Sequence, residues 1–433
     1  MRMKLYTLLC ISFFLLFTAC NQDDDPVPPE KVSRTVLAYI MADNSLSNYA
    51  SLDIDEMMVG MAAVDASDNN LLVYVDDNSR EGSPSYNPPT LFRLSKDKSG
   101  TVLKEVVREY KEQVSTDASV MEEVMKRTFA EYPAESYGLV VWSHGEGWIP
   151  SPLPIVKKTS TRWIGEDSGH HLNIADMAFI FEKVGCHLDF ILFDACFGQS
   201  VEVAYELHDY VDYIIGSPTE IPGPGASYDK VVPAMFAAAN VGIEIGKAYY
   251  DPYAALYTGD RPSRFEDPWT AGVSISVIDC AALENLASVT KQTLSSDPIL
   301  LNLLLNSNIY NYDRRAKSSS SYIGYYDMRQ LMQYLSSDID NWTSAANNAI
   351  IYWKATPKNY SSYIGMFPIS QGRTCGVSHY IPFSLDSQAA AAYRSTAWYT
   401  AACLFSASTF FLHLLIKTFS FIIIFMPILL SKI

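Results

Sequence analysis

Cysteine is scarce and irregularly placed in this 433-residue chain, with seven residues and no CxxC pair. That spacing argues against a zinc site and against a disulfide framework. Basic charge is also short. With 32 Lys and Arg against 48 Asp and Glu, the net charge is −16, and a surface so poor in cations cannot neutralise a run of phosphates. Nucleic acid is therefore excluded as a partner, whereas basic substrates stay open. Charged residues make up only 18% while 48% are hydrophobic and 13% aromatic, which excludes disorder as a whole-chain reading. No internal repeat is present. The length allows two or three domains and ample core.

The N-terminus reads as an export signal. Met1 to Lys4 carry two positive charges, Leu5 to Phe17 are almost wholly apolar, and the small residues Thr18 and Ala19 precede Cys20. This resembles a bacterial lipobox, in which Cys20 receives lipid and becomes the mature N-terminus; the alternative is ordinary secretion with Cys20 as a bystander. Residues 1–19 are thus the signal, and the acidic, Pro-rich residues 20–32 a solvated tether. An acidic run after such a cysteine points to an outer-membrane lipoprotein displayed at the cell surface. Once Cys10 leaves and Cys20 is lipidated, Cys186, Cys196, Cys280, Cys375 and Cys403 remain. That number is odd, so at least one thiol is free.

Short apolar runs rich in Val, Ile and aromatics predict buried parallel strands at Val36 to Met41, Leu71 to Val75, Tyr137 to Trp142, Leu188 to Phe193 and Val211 to Ile215, and Ala271 to Ile278 predicts another buried strand. Helical patterns alternate with them at Ala50 to Ala63, Ser119 to Ala130, Ile174 to Val184, Ser200 to Leu207, Val231 to Ala255 and Ala281 to Leu294. The fold class is therefore α/β, a mainly parallel sheet sandwiched by helices over residues 33–296. Residues 297–402, aromatic and Ser-rich, predict a smaller α+β region. It would hold helices at Asp327 to Leu335 and Trp342 to Trp353, and a strand pair of Tyr363 to Ile369 with Gly376 to Pro382. Ser79 to Pro89 reads as a loop or hairpin tip.

No Asp or Glu follows Asp386, and apolar residues dominate 403–433. Phe410 to Leu430 is long enough to span a bilayer, although Lys417 within it carries an insertion cost on the order of 3 kcal/mol. A buried terminal helix and a frame-altered end are the alternatives.

Two predicted strands run into residues unusual for a core. One leads into Ser143-His144-Gly145-Glu146-Gly147-Trp148, the other into Asp194-Ala195-Cys196-Phe197-Gly198. Ligands of open α/β sheets bind outside the carboxyl ends of the strands, so neighbouring strands would present His144 and Cys196 on one rim. An imidazole beside a thiol, helped by a helix starting just after it, favours the thiolate nucleophile. Gly145 permits close backbone approach, and its N–H with that of Cys196 could form an oxyanion hole. Taken alone, each residue has a plainer reading, since a lone Cys at a strand end is usually a small buried hydrophobe.

Together with Thr35 to Leu46 and Ile221-Pro222-Gly223, these segments resemble the clostripain family of cysteine peptidases from about Thr35 to at least Pro382. The resemblance implies a caspase-like sandwich, His144 and Cys196 as base and nucleophile of a dyad, and cleavage after Arg or Lys. It casts Asp194 as an acid on the floor of the P1 pocket, where the alternative is a helix N-cap. Glu220 is the nearest second acid, in a segment where Pro218 departs from the family pattern. Self-cleavage in the basic loop holding Lys157, Lys158 and Arg162 is implied as well, against the reading of a merely solvated loop. No cofactor or metal is called for. Calcium is required by some family members, but no EF-hand spacing is present and Asp76-Asp77-Asn78 reads equally as a turn. The expectation is a monomeric, lipid-anchored endopeptidase acting on polypeptides with basic residues. Its alternative is a weak or inactive relative that binds basic peptides.

Overall fold

The computed structural model describes residues 31–77, 87–149, 163–262, 268–294, 309–313, 324–382 and 387–403. Its first half runs β1 (Val32–Met41), α1 (Ser47–Met61), β2 (Asn69–Asp76), β3 (Thr90–Lys96), β4 (Val102–Glu109), α2 (Ala118–Glu131), β5 (Ala134–Trp142), β6 (Glu166–Asp167), β7 (His170–His171), α3 (Ile174–Val184), β8 (Leu188–Asp194), α4 (Val201–Leu207) and β9 (Val211–Gly216). It continues with α5 (Tyr228–Met235), α6 (Val241–Leu256), β10 (Ser274–Asp279), α7 (Leu283–Thr293), β11 (Tyr325–Asp327), α8 (Met328–Leu335), α9 (Asp340–Ala349), β12 (Ile350–Ala355), β13 (Lys358–Ser361), β14 (Gly365–Pro368), β15 (Ser378–Tyr380) and α10 (Gln388–Arg394).

A nine-stranded sheet in the order β12-β10-β9-β8-β5-β1-β2-β3-β4 organises the molecule. Its centre, from β9 to β2, is parallel, and both flanks are antiparallel. Successive side chains of a strand point to opposite faces, and β1 shows the consequence. Leu37, Tyr39 and Met41 join α2, α3, α4 and α7 in one core, while Val36, Ala38 and Ile40 join α1, α5 and α6 in another. A strand covered on both sides must be apolar at every position, which is why the central strands read as continuous runs. The edge strand β4 is largely exposed and carries Lys104, Glu105, Arg108 and Glu109. Such charges keep an open edge from pairing with other chains.

Several sequence expectations need correction. The helix read over Val231 to Ala255 is two helices, interrupted at Asn240, which adopts a left-handed φ of 53°. The helix predicted over Trp342 to Trp353 stops at Ala349, and β-branched Ile350 and Ile351 begin β12, which pairs with β10 in the main sheet. The strands expected to pair near 363–369 and 376–382 do not meet. Gly365–Pro368 folds back on Lys358–Ser361, and Ser378–Tyr380 pairs with Tyr325–Asp327. The β3–β4 hairpin has no counterpart in the sequence reading, because most of β4 is exposed and neither strand is a continuous apolar run. Asp76, read as a turn residue, ends β2 and is fully buried.

No helix among the described residues is long and apolar enough to cross a membrane. The signal, Cys20, the loop with Lys157, Lys158 and Arg162, and the segment Phe410 to Leu430 lie outside the described residues.

Candidate active site

The parallel register of β5 and β8 brings the two unusual strand ends together. Trp142 stands opposite Asp194, so His144 and Cys196 each follow two residues beyond a matched pair. The chain passes from β1 outward to β2 and returns to β5 on the other side of β1. That reversal opens a crevice at the strand ends. A cavity of about 500 Å³ lies there, lined among others by Ser45, His144, Gly145, Asp194, Cys196 and Glu220.

Gly145 packs against the nucleophile candidate. A Cβ at this position would lie 2.5 Å from the Cys196 carbonyl oxygen and 3.1 Å from its nitrogen, so no larger residue fits without movement. Phe197 follows with a left-handed φ of 59°, uncommon for an aromatic residue. This bend turns the chain out of β8, and the Phe197 N–H donates to the Thr219 carbonyl at 2.9 Å. Neither the Gly145 N–H nor the Cys196 N–H has a partner among the described residues.

His144 Nε2 lies 2.8 Å from Ser45 Oγ. Burial holds its imidazole below the ordinary value, against an opposing pull from Glu146, so the ring is neutral at pH 7. The Cys196 thiol accepts from the Ile221 N–H at 3.4 Å. Burial pushes its pKa strongly up, and Glu220, Glu146 and Asp194 add to the rise. This environment works against the thiolate that an adjacent imidazole would favour. The helix after the thiol, α4, begins at Val201 with Ser200 as its cap, as the sequence placed it, but five residues beyond Cys196, where the dipole of so short a helix adds little to a thiolate.

Asp194 is not a helix cap. It is 1% exposed and accepts from the Ala226 N–H at 3.0 Å, Tyr228 Oη at 2.8 Å and Tyr249 Oη at 2.9 Å. Burial raises its pKa, and these three donors pull it back. Glu220 also lines the cavity, and its carboxylate accepts from the Ser361 hydroxyl and from the N–H and hydroxyl of Ser362, the last two at 2.8 Å. Tyr363 Oη donates to Glu146 Oε1 at 3.0 Å. The β13–β14 hairpin thus closes over Glu220 and Glu146.

Sequence reasoning missed Ser45, Asp53, Tyr228, Tyr249 and the hairpin tip. One signal for Asp53 was present: it sits on the buried stripe of α1 with Ala50, Ile54, Met57 and Met61, where a carboxylate breaks the apolar pattern. Of the remaining thiols, Cys280, Cys375 and Cys403 are buried and Cys186 half-buried. Among the described residues no group of three or more His, Cys, Asp or Glu is suited to a metal ion.

The profile of the clostripain family matches residues 38–393. A secreted C11 cysteine protease from Bacteroides thetaiotaomicron, solved with an irreversible peptide inhibitor, is 42% identical; the match covers 86% of this chain and 98% of that one at a TM-score of 0.73. An inactive zymogen C11 protease from Parabacteroides distasonis is 27% identical over 87% of this chain and 100% of that one, with a TM-score of 0.72. No curated protein matches. The caspase-like α/β expectation holds against these structures. From the span of the profile, the agreement in fold and the nature of these relatives, the chain belongs to the clostripain family and is a cysteine peptidase.

Proposed function

We propose that the protein is an endopeptidase that cleaves after Arg or Lys through His144 and Cys196. The observation that carries this reading is the matched register of β5 and β8, which sets both residues on the rim of a cavity floored by Asp194. Ser45 occupies His144 Nε2, leaving Nδ1 to take the thiol proton. Cys196 Sγ attacks the P1 carbonyl carbon as its proton passes to His144. The N–H groups of Gly145 and Cys196 receive the oxyanion, and such a donor is worth roughly 3–4 kcal/mol in the transition state. His144 then protonates the departing amine. A water molecule, deprotonated by His144, hydrolyses the thioester and restores the thiol. Burial disfavours the free thiolate, so this mechanism couples proton transfer to attack.

A guanidinium or ammonium in a partly dry pocket needs a paired charge, and Asp194, with Glu220 also lining the cavity, meets that need. Lys157, Lys158 and Arg162 are proposed self-cleavage positions, in keeping with the zymogen described for one relative. Export with lipidation at Cys20 is proposed from the signal and the small residues before it; the relative from Bacteroides thetaiotaomicron is described as secreted.

The test is hydrolysis of short fluorogenic peptides with Arg, Lys or neutral P1 residues. Cys196→Ala and His144→Ala should each abolish turnover. Asp194→Asn should lower kcat/KM for Arg peptides by about 30- to 1000-fold, roughly 2 to 4 kcal/mol, and barely change neutral substrates. Equal losses on both would make Asp194 a support of the Cys196 turn, and binding of basic peptides without turnover by the unmodified protein would favour the inactive-relative alternative.

A further inference from the structure

Beneath the cavity, two carboxyl groups from different elements close on one glycine. A Cβ at Gly225 would lie 2.8 Å from Asp194 Oδ2 and 3.3 Å from Asp53 Oδ2, and its φ of +71° also favours glycine. Asp53 is 3% exposed and Asp194 1%, so water solvates neither. From β5, Trp142 Nε1 donates to Asp53 Oδ2 at 2.6 Å. Glu56, on α1 with Asp53, accepts from the Tyr228 N–H. From α5 and α6, Tyr228 and Tyr249 donate to Asp194, and Tyr253 Oη donates to the Gly225 carbonyl at 2.6 Å. Among the described residues, the groups acting on Asp53 and Asp194 are carboxyls, phenols, an indole and a backbone N–H, with no Lys or Arg.

Two buried carboxylates with no cation between them are strongly unfavourable, and such a pair holds a proton in common. The donors decide where it rests. Three serve Asp194 and one serves Asp53, and donors stabilise the ionised form. Asp194 is thus the acid better suited to carry charge, and Asp53 the one that keeps the proton. The Trp142 ring lines the cavity while its N–H holds Asp53, so the buried acid is coupled to whatever fills the space above.

We infer that Asp53 is a positioning residue for P1 specificity: protonated in the empty site, it releases its proton to solvent when a P1 guanidinium or ammonium settles over Asp194. The inference rests on the basic-P1 reading. Charge balances, because one cation enters as one proton leaves. Asp53 need not touch the substrate; it acts by letting the pair below become doubly negative only when a cation is present. Burial and the Asp194 charge push the Asp53 pKa up to about 9, so raising the pH toward that value ionises it in advance and tightens cation binding.

The experiment titrates full-length Cys196→Ala protein with benzamidine by calorimetry, at pH 7, in two buffers of different ionisation enthalpy. About one proton should be released per benzamidine bound, and Kd should fall by up to about tenfold per pH unit between pH 6 and 8. With Asp53→Asn added, benzamidine should still bind, proton release should vanish and Kd should become flat with pH. Binding without proton release in the Asp53-containing protein would overturn the inference, even if the Asn variant failed to fold. Equal release from both proteins would overturn it too. If benzamidine does not bind and neutral P1 peptides are the better substrates, the basic-P1 reading itself fails, and the inference falls with it.

Discussion

Gly145→Ala separates the proposed oxyanion hole from the nucleophile. The new methyl would sit 2.5 Å from the Cys196 carbonyl oxygen, 3.0 Å from Ala195 Cβ and 3.1 Å from the Cys196 nitrogen. All three belong to the backbone or to a short buried side chain at the end of β8, so no flexible group can swing aside. Reaching ordinary contact at 3.4 Å needs a shift of about 0.9 Å, shared between the 144–146 turn and the Cys196 turn. A misplacement of about 1 Å in a reacting constellation can lower a rate on the order of 100-fold, and loss of one oxyanion donor costs about 100- to 1000-fold in kcat. We expect kcat for the best peptide substrate to fall about 100-fold or more with KM changed little. Alkylation of Cys196 by iodoacetamide should stay within a few-fold, because that reaction develops no oxyanion. The assay is steady-state hydrolysis beside alkylation followed by mass spectrometry. A kcat within threefold of the parent enzyme would refute the oxyanion assignment, and a parallel loss of alkylation would show that the substitution had displaced the thiol itself.

Glu220→Gln removes a charge that opposes ionisation of Cys196; the thiol pKa should drop, and alkylation at pH 8 should quicken roughly 3- to 10-fold, the equivalent of about 0.7–1.4 kcal/mol. An unchanged rate would mean that burial alone sets the thiol. Asp53 has a folded pKa of about 9 against about 3.9 unfolded, so its protonation stabilises the fold fully below pH ~4 and that stability is lost as the pH rises through ~9, by about 1.4 kcal/mol per unit. In a Cys196→Ala background, urea unfolding at pH 5 and pH 8 should show the parent losing about 4 kcal/mol more than Asp53→Asn; parallel pH dependences would rule this out. Cys20→Ser should release the protein from membranes into the soluble fraction, whereas continued membrane association would point to the 403–433 segment as the anchor.

The sheet's centre was legible in the sequence because both of its faces are buried. β1, β2, β5, β8 and β9 are short apolar runs, and helices α1 to α4 lie close to where 3.6-residue periodicity put them. His144 and Cys196 were legible for the same reason, since a polar residue directly after such a run stands at a strand end and therefore on the ligand-binding rim. The half-exposed hairpin β3–β4 and the short strands after Asp340 carried weaker signals. There the choice between helix and strand depends on the surface each segment packs against. Ile350 to Ala355 is a strand because β10 offers it an open edge, and nothing within those six residues states that. The site shows the same division. Local sequence determined which residue types end β5 and β8. The parallel register that pairs Trp142 with Asp194, the meeting of Asp53 and Asp194 around Gly225, and the reach of Ser361, Ser362 and Tyr363 to Glu220 and Glu146 join residues between 31 and 217 positions apart. Burial, charge and proton affinity at Asp53, Asp194 and Cys196 come from those distant neighbours, because a pKa is set by what surrounds a group in space; only the tertiary structure could decide them.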